Sequence, residues 1–213
     1  MAQAIPPLPD VLPDDPLPLV ATWLAEAAKS VRNSTAMTLA TVGADGRPAA
    51  RMVICRGFDA AAGTFVFYTD RDSDKGGELA ARPWAALVFH WDVVERQIRA
   101  AGPVTEVADA DSDRYWASRP LDARAAAAAS DQSRPLASRA ALLARIAEVT
   151  ARAGGGEIAR PKRWGGYRVW AERVELWVGQ PGRAHDRARF IRPMTRAGDG
   201  FAGGAWSGTR LMP

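Results

Sequence analysis

Two arginines and a histidine alternate in a short stretch near the end of the chain, GQPGRAHDRARF (residues 179–190), and the whole chain contains 2 histidines. Because successive side chains of a β-strand point to opposite faces, a strand here would place Arg183, His185 and Arg187 on one face. That face would carry two permanent cations and a titratable ring, a combination suited to binding an anion. A solvated strand edge or loop is the alternative for a segment this rich in Arg and Asp.

A tyrosine and an arginine four residues apart form a second candidate site. Tyr115 and Arg119 lie in DADSDRYWASRP, a predicted helix with Asp109 or Asp111 as its cap and Pro120 as its stop. Residues four apart share one face of a helix, so both side chains can contact a single anionic ligand. On spacing alone, a surface arginine beside a half-buried tyrosine is the favoured interpretation of the pair.

The composition is that of a globular protein without disulfides or cysteine-based metal sites. The chain has 213 residues, 47% of them hydrophobic, which suffices for a core. Its single cysteine, Cys55, lies in the apolar run MVIC, and this position predicts a buried thiol. The net charge of +4 comes mainly from arginines interspersed with acidic residues. We therefore expect a small anionic ligand and no nucleic-acid partner.

The sequence also bears on location and on other enzyme classes. No apolar run approaches the roughly 20 residues that span a bilayer, and the N-terminus lacks a basic region followed by an apolar stretch. We expect a cytoplasmic protein with no membrane partner. The Walker, HExxH and GxSxG motifs do not occur, so the residues required by P-loop nucleotide-binding proteins, zinc proteases and serine hydrolases are missing. We expect no metal site.

The hydrophobic period changes along the chain from helical to strand-like. A Pro-rich extended arm (residues 1–18) precedes the predicted helix LPLVATWLAEAAKSVR, and a single domain is expected over 19–213. Strands are predicted in AMTLATV, RPAARMVICRGF, TFVFYT, PWAALVFHW and ERQIRAAGPVTEV, the last broken at Gly102-Pro103, consistent with a bend or an edge. Asp45-Gly46 predicts a hairpin between the first two strands.

Further helices are predicted in SDKGGELAAR, LDARAAAAASDQ and SRAALLARIAEVTARA, and further strands in WGGYRVWAERVELWVG and DRARFIR. Strands that mostly follow one another through hairpins, with helices inserted between them, favour an α+β fold that is mainly β. We expect an antiparallel sheet or barrel, because a doubly wound parallel sheet needs a regular alternation of strands and helices.

Several segments in this order resemble the pyridoxamine 5′-phosphate oxidase family: RMVICRGFD, FVFYTDRDSDKGGEL, ERQIRAAGPV, YWASRP, SDQS, WGGYRV, VELWVGQPGRAHDRARF and RLMP. The resemblance extends from about Met37 to Pro213, and its most specific part is WGGYRV…VELWVGQPGRAHDR. It implies a split β-barrel with flanking helices that binds FMN at the interface of a homodimer.

The resemblance also implies which residues bind the flavin. In the family an arginine-led strand and a Tyr-Thr pair lie along the flavin, and a lysine after the next loop holds its phosphate. The implied cofactor-binding residues are Arg51, Met52, Val53, Ile54, Cys55, Arg56, Tyr68, Thr69, Lys75, Gln97, Gln132, Ser133, Trp177 and Arg187.

A second set of residues is implied to bind the substrate. By resemblance, Arg56, Tyr115 and Arg119 hold the substrate phosphate, while Arg183 and His185 close over its pyridine ring as the candidate catalytic residues. Arg183 and His185 would thus face the substrate and Arg187 the flavin, all from one strand face. The implied activity is FMN-dependent oxidation of pyridoxine or pyridoxamine 5′-phosphate to pyridoxal 5′-phosphate, with O₂ as acceptor and release of H₂O₂.

Three positions depart from the family pattern: Arg56 stands in place of a lysine, Asp74 in place of an arginine and Ala123 in place of a serine. We expect Asp74 to turn to solvent or to pair with a neighbour, because a carboxylate would repel the flavin phosphate. Two alternatives follow from these departures. One is a diverged flavin oxidase acting on another anionic aromatic compound, like relatives in phenazine biosynthesis. The other is a non-catalytic protein that binds flavin or a vitamer.

Overall fold

The computed structural model describes residues 5–213, in which helices flank a curled antiparallel sheet. The helices are α1 (Leu17–Ser30), α2 (Asp74–Ala81), α3 (Asp109–Ala117), α4 (Leu121–Ala129) and α5 (Arg139–Ala153). The strands are β1 (Ala36–Val42), β2 (Pro48–Ile54), β3 (Gly57–Asp59), β4 (Thr64–Asp70), β5 (Trp84–Trp91), β6 (Arg96–Glu106), β7 (Trp164–Trp170), β8 (Arg173–Val178), β9 (Asp186–Ile191), β10 (Met194–Ala197), β11 (Gly200–Gly203) and β12 (Ser207–Leu211).

The main sheet has ten strands within the described residues and is continuous through β6. Its order is β12-β9-β8-β6-β5-β1-β2, and β7 joins β6 to a branch formed by β4 and β3. The first part of β6 pairs with β5 and β8, whereas Val104–Glu106 pair with β7. One long strand therefore belongs to both halves of the split barrel.

The predicted break at Gly102-Pro103 is wrong, because both residues lie inside the continuous strand β6. A Cβ at Gly102 would meet the backbone oxygen of Trp170 at 1.9 Å. The glycine thus permits a close approach of two strands where β6 passes from one half of the barrel to the other.

The β1–β2 hairpin confirms the prediction from Asp45-Gly46. Gly46 has φ 81°, a left-handed conformation that glycine adopts without a steric penalty. The turn is closed by a bond from the N–H of Gly43 to the carbonyl of Arg47 at 2.9 Å. This hairpin sets the register of β2, which carries Arg51 to Ile54.

Alternate residues of the strands build the main core on the inner side of the sheet. Helix α1 closes this core through its buried stripe, which includes Val20, Trp23 and Ala27. A second, smaller cluster contains Trp116, Ala125, Ile158 and Trp164 and fixes the helices α3 to α5 against β7. Burying each large apolar side chain stabilises the fold by about 1.5–3 kcal/mol.

Two predictions for α3 are wrong: its cap, and the placement of Arg119 on the same helix as Tyr115, because α3 ends at Ala117. The helix begins at Asp109 after Ala108, and no side chain caps it. Asp109 and Asp111 instead lie in the first turn, where their charge favours the positive end of the helix dipole. Among the described residues, no helix is both long and apolar enough to cross a membrane.

The predicted alternation of Arg183, His185 and Arg187 on one strand face is wrong. Strand β9 begins only at Asp186, and Pro181–Arg183 form a 3₁₀ turn. Gly182 and Arg183 both have positive φ, 67° and 63°. Pro181 has no N–H to donate to a strand ladder, and Gly182 adopts the left-handed turn readily, so the local chemistry favours the turn.

Candidate active site

A cavity of about 230 Å³ lies where β2 and β4 end and α2 and α3 pass close by. It is lined by Met52, Val53, Ile54, Arg56, Tyr68, Thr69, Lys75, Tyr115, Arg119 and Gln132. Every one of these residues is among the predicted cofactor or substrate residues. The structure therefore brings together side chains that are distant in sequence, from both predicted sets, around a single space.

A buried ammonium group forms one end of the cavity. Lys75 lies in the first turn of α2, 9% exposed, and its Nζ donates to Ser73 Oγ at 2.9 Å and to Gln132 Oε1. Burial, and then the charge of Arg51, lower the pKa of Lys75. Within residues 5–213 it forms no ion pair with a carboxylate. A buried cation with only neutral acceptors is suited to receiving an anion such as a phosphate.

The side chain of Gln132 links this cation to β4. Its Oε1 also accepts a hydrogen bond from Thr69 Oγ1 at 3.0 Å. Since the amide oxygen faces Lys75 and Thr69, the amide nitrogen keeps its two N–H groups for a ligand. The next residue, Ser133, is exposed, has φ 71° and does not line the cavity.

Arg51 and Cys55 lie beside the cavity without lining it. The guanidinium of Arg51 is paired with Glu78 at 2.7 Å and bonded to Thr41, so it acts on Lys75 through its charge. Cys55 is buried, as predicted, and burial raises the pKa of its thiol. A buried thiol of raised pKa is a structural residue and a poor nucleophile.

Asp74 pairs with a neighbour, one of the two outcomes expected for it. Its carboxylate accepts from Arg134 at 3.1 Å, and Arg134 also donates to the carbonyl of Asp72 at 2.9 Å. Arg134 thus ties the loop that carries Gln132 to the start of α2. Sequence reasoning missed this residue; the signal was an arginine just after Gln132-Ser133 together with an unexpected aspartate before Lys75.

Two arginines form the other end of the cavity. The guanidinium of Arg56 lies 6.0 Å from the centroid of the Tyr115 ring. Arg119 donates to the carbonyl of Ala123 at 3.1 Å, while its buried Nε has no hydrogen-bond partner. Burial lowers the pKa of Arg119, and the charge of Arg56 adds to that lowering. In the part of the chain that is described, neither arginine pairs with a carboxylate, so both charges are available to a ligand.

Stacked aromatic rings separate this cavity from a larger groove. Tyr68 stacks on Tyr115 with centroids 4.1 Å apart and on Trp164 at 5.4 Å. The groove, of about 500 Å³, shares Tyr68 and Tyr115 with the cavity but contains no other predicted site residue. The arginines and Lys75 together mark the smaller cavity as the site.

The remaining predicted residues form a second group, with Gln97, Trp177 and Arg187 on the outer face of the sheet and Arg183 and His185 in the turn that precedes β9. Gln97 pairs with Trp177, and Trp177 with Arg187, across β6, β8 and β9. The His185 ring lies 4.8 Å from the Trp177 ring, and Arg183 is exposed in its turn. None of these five lines the cavity of its own chain.

Arg187 is already engaged within this second group. Its guanidinium pairs with the buried Glu175 at 2.9 Å and donates to the carbonyl of Met212 at 3.0 Å. If Arg187 contacts the flavin, its guanidinium must bind the flavin and Glu175 at the same time, with Glu175 setting its orientation.

Two family models match this chain in succession. Residues 24–153 match the model described as pyridoxamine 5′-phosphate oxidase, and residues 164–213 match the pyridoxine 5′-phosphate oxidase C-terminal dimerisation region. The chain belongs to the pyridoxamine 5′-phosphate oxidase family. The resemblance inferred from its motifs is thereby confirmed.

Individual members of the family agree with this assignment. The chain is 52% identical over 180 residues to the pyridoxine/pyridoxamine 5′-phosphate oxidase of Sphingopyxis alaskensis, covering 84% of this chain and 82% of the relative. It is 47% identical over 200 residues to the Brucella canis protein of that name, covering 93% and 94%. Among solved structures, PhzG from Burkholderia lata 383, in complex with tetrahydrophenazine-1-carboxylic acid, superimposes with a TM-score of 0.84 at 32% identity, covering 96% and 98%.

Membership in the pyridoxamine 5′-phosphate oxidase family confirms the predicted fold and enzyme class, a split barrel of an FMN-dependent oxidoreductase. The residues around the cavity fit this cofactor. The ammonium of Lys75 and the amide nitrogen of Gln132, which have no carboxylate or carbonyl partner of their own among the described residues apart from the Gln132 Oε1 bonded to Lys75, would hold a phosphate. The apolar residues Met52, Val53 and Ile54 would lie along a ring system.

The dimerisation region comprises β7 to β12 and so contains the whole C-terminal part of the second group, including Trp177, His185 and Arg187. A homodimer is therefore supported by the family assignment, as the sequence predicted.

Proposed function

We propose that this chain oxidises pyridoxine and pyridoxamine 5′-phosphate to pyridoxal 5′-phosphate, with FMN as cofactor, O₂ as acceptor and H₂O₂ as by-product. The observation that carries the proposal is the pair Arg56 and Arg119 beside Tyr115, where neither cation has a carboxylate partner among residues 5–213. Two adjacent unpaired cations repel each other and favour a ligand with two negative charges. The phosphate of the vitamer supplies that charge.

Each end of the cavity has its own task in this proposal. Lys75 and Gln132 hold the FMN phosphate, and Arg56, Tyr115 and Arg119 hold that of the substrate. When bound, FMN would supply the acceptor for the hydride from C4′ of the vitamer and would pass the electrons to O₂; the proton from the hydroxyl or amine goes to solvent, and with pyridoxamine 5′-phosphate water then releases the nitrogen as ammonia. The chain contributes by holding donor and acceptor together, which can lower a barrier by about 7–11 kcal/mol.

We assign Arg183 and His185 to the pyridine ring of the substrate. Arg183 lies in the turn before β9, His185 packs against Trp177 of β8, and neither lines the cavity of its own chain. For them to reach the substrate, the second group of one subunit must face the cavity of the other. The proposal therefore requires the homodimer, with FMN and substrate between the subunits.

The cavity opens on the face that a partner would cover. Met52 and Ile54 line it and are 62% and 38% exposed. Residues directly opposite each other on neighbouring strands share one face of the sheet. From β2 across to β6, the successive pairs are Met52 with Thr38, Thr38 with Val88, and Val88 with Arg99. Arg99 is two residues from Gln97 on β6, so Gln97 points to that same face. The cavity mouth and the strand residues of the second group thus lie on one outer sheet face.

Met52→Glu is expected to weaken the homodimer and to reduce FMN binding with it, because the charge would be buried against the partner. Sedimentation velocity over a range of protein concentrations measures the dimer, and absorbance of the sedimenting species reports FMN. Val93→Glu, at an apolar residue that is 67% exposed in the turn after β5, is the control. A wild-type monomer that carries FMN would contradict the shared site.

The activity itself is tested by peroxide release. Purified yellow protein is mixed with pyridoxine 5′-phosphate or pyridoxamine 5′-phosphate, and H₂O₂ and pyridoxal 5′-phosphate are measured. We expect both products in equal amounts. FMN-loaded protein that releases no peroxide with either vitamer would contradict the proposal.

A second candidate is oxidation of another anionic aromatic compound. The similarity to the structure of PhzG with tetrahydrophenazine-1-carboxylic acid favours keeping it. The same peroxide assay with that compound separates the two candidates. Turnover of that compound without turnover of the vitamers would favour the second candidate. Bound FMN without turnover of any of these compounds would indicate a non-catalytic protein that binds flavin or a vitamer.

Ala123→Ser is expected to lower KM for pyridoxine 5′-phosphate a few-fold to about tenfold, because one added neutral hydrogen bond is worth about 0.5–1.5 kcal/mol. Ala123 precedes Arg124 in α4, and its carbonyl already accepts from Arg119. Ala126→Ser in the same helix controls for a general effect of serine on α4. No change in KM would show that Ala123 lies out of reach of the phosphate.

We also keep a cytoplasmic location and a single catalytic domain over 19–213 as proposals. The buried, unpaired thiol of Cys55 is typical of proteins from a reducing compartment. Cell fractionation and limited proteolysis test these two points.

A further inference from the structure

Two contacts hold the imidazole ring of His185. The ring packs against Trp177 of β8 with centroids 4.8 Å apart. Its Nδ1 accepts a hydrogen bond from the backbone N–H of Gln180 at 3.2 Å. One contact restricts the plane of the ring and the other selects which ring edge faces the backbone. The opposite edge, with Nε2, is used by neither contact.

The N-terminal arm, in its described part at residues 5–16, holds the same segment of the chain. Gln180 Nε2 donates to the carbonyl of Ile5 at 3.1 Å, and the N–H of Leu8 donates to the carboxylate of Asp186 at 2.8 Å. Leu8 is 3% exposed, so the arm is packed against the fold at this point. Arg210 completes the junction by bonding both Asp186 and the carbonyl of Pro9.

These bonds bracket His185 on both sides. Gln180, whose N–H bonds the ring, is bound to the arm through its side chain, and Asp186, the next residue after His185, is bound to the arm through its carboxylate. Gly182 and Arg183, with positive φ, lie in the turn between these two anchors. The turn has no strand ladder of its own to fix it, so the anchors set its geometry.

The bond from Gln180 decides which nitrogen of His185 carries the proton. A backbone N–H only donates, so Nδ1 must offer its lone pair, and a neutral imidazole then keeps its proton on Nε2. We infer that His185 serves as a hydrogen-bond donor to the substrate through Nε2–H, and that the N-terminal arm maintains this tautomer through the positioning residues Gln180 and Asp186. The substrate part of the inference rests on the proposed function.

The tautomer can be measured directly because the chain contains 2 histidines. FMN-loaded protein labelled with ¹⁵N-histidine, at a pH where imidazole is neutral, gives two ring systems in a long-range ¹H–¹⁵N correlation spectrum. His90→Gln removes one of them and leaves His185. We expect a pyridine-type shift for Nδ1 and a pyrrole-type shift for Nε2. The reverse pattern, or equal amounts of both tautomers, would overturn the assignment.

The role of the arm is tested at Gln180 with a matched pair of variants. Gln180→Glu removes the side-chain donor to Ile5, whereas Gln180→Lys keeps a donor at the end of the side chain. We expect the glutamate variant to populate the second tautomer and to lose about two- to tenfold in kcat, the effect of one neutral hydrogen bond. The lysine variant should remain within about twofold of wild type, and neither should change the Kd for FMN.

A double-mutant cycle separates positioning from general damage to the fold. If Gln180 acts through the ring, Gln180→Glu has no further effect on kcat once His185→Ala is present. An additive loss, or a Gln180→Glu protein with the wild-type spectrum and kcat, would overturn the role of the arm. A wild-type protein that oxidises neither vitamer contradicts the proposed function alone, because the spectrum is recorded without substrate.

Discussion

Replacing Lys75 with methionine is expected to weaken FMN binding about 10- to 150-fold. The Lys75 ammonium is buried and bonded to two neutral oxygens, so its charge is available to the phosphate. A hydrogen bond to a charged group contributes about 1.5–3 kcal/mol, which corresponds to that factor. Titration of the apoprotein with FMN, followed by quenching of flavin fluorescence, measures the Kd.

Lys162→Met is the matched control, because that lysine is exposed and contributes only its backbone carbonyl, to Arg71 at 3.2 Å. An equal loss in both variants would mean a general effect of removing positive charge. An unchanged Kd in Lys75→Met would place the FMN phosphate elsewhere.

The affinity for FMN should also depend on pH through Lys75. Burial and Arg51 lower the pKa of Lys75, so in the apoprotein its ammonium loses its proton at a lower pH than an ordinary lysine does. The phosphate binds the protonated form. Wild-type affinity should therefore be full below the lowered pKa and fall as pH rises through it, and Lys75→Met should lack this component. The same fluorescence titration, repeated across the alkaline range, measures it.

Replacing Arg119 with methionine is expected to raise KM for pyridoxine 5′-phosphate about 10- to 150-fold and to leave the Kd for FMN unchanged. The guanidinium is fixed by the carbonyl of Ala123 and lies 5.0 Å from the ring centroid of Trp164, and its buried Nε lacks a partner. An oriented, desolvated cation forms a strong charged hydrogen bond with phosphate, again worth about 1.5–3 kcal/mol. Steady-state peroxide assays measure KM.

Arg114→Met, in the helix α3 that ends just before Arg119, serves as the control, since Arg114 is exposed and, within residues 5–213, pairs only with Asp111. A fall in FMN affinity in Arg119→Met equal to the rise in KM would assign Arg119 to the cofactor. A normal KM would remove it from the substrate site.

The local residue pattern was sufficient to predict the features that depend on residues only a few positions apart in the sequence. The Asp45-Gly46 turn, the buried stripe of α1 and the burial of Cys55 each follow from the conformational freedom or hydrophobicity of adjacent residues. The motifs also placed the chain in its family, because a family resemblance is a property of residue order. The ten residues around the cavity were therefore named from sequence, although their meeting depends on the fold.

Only the tertiary structure decided how the site is assembled. The partner of Asp74 lies 60 residues away in Arg134, and the partner of Arg187 is a buried glutamate on the next strand, contacts that no local period encodes. The alternation around His185 resembled a strand, but Pro181 and Gly182 form a turn, because a proline cannot donate to a ladder and a glycine accepts positive φ. The segment that carries the His185 ring instead bonds, through Gln180 and Asp186, to an arm more than 170 residues away in sequence. Hydrogen bonds between distant segments form only when the whole chain is packed, so sequence determined the groups that could do chemistry and the fold determined which of them face each other.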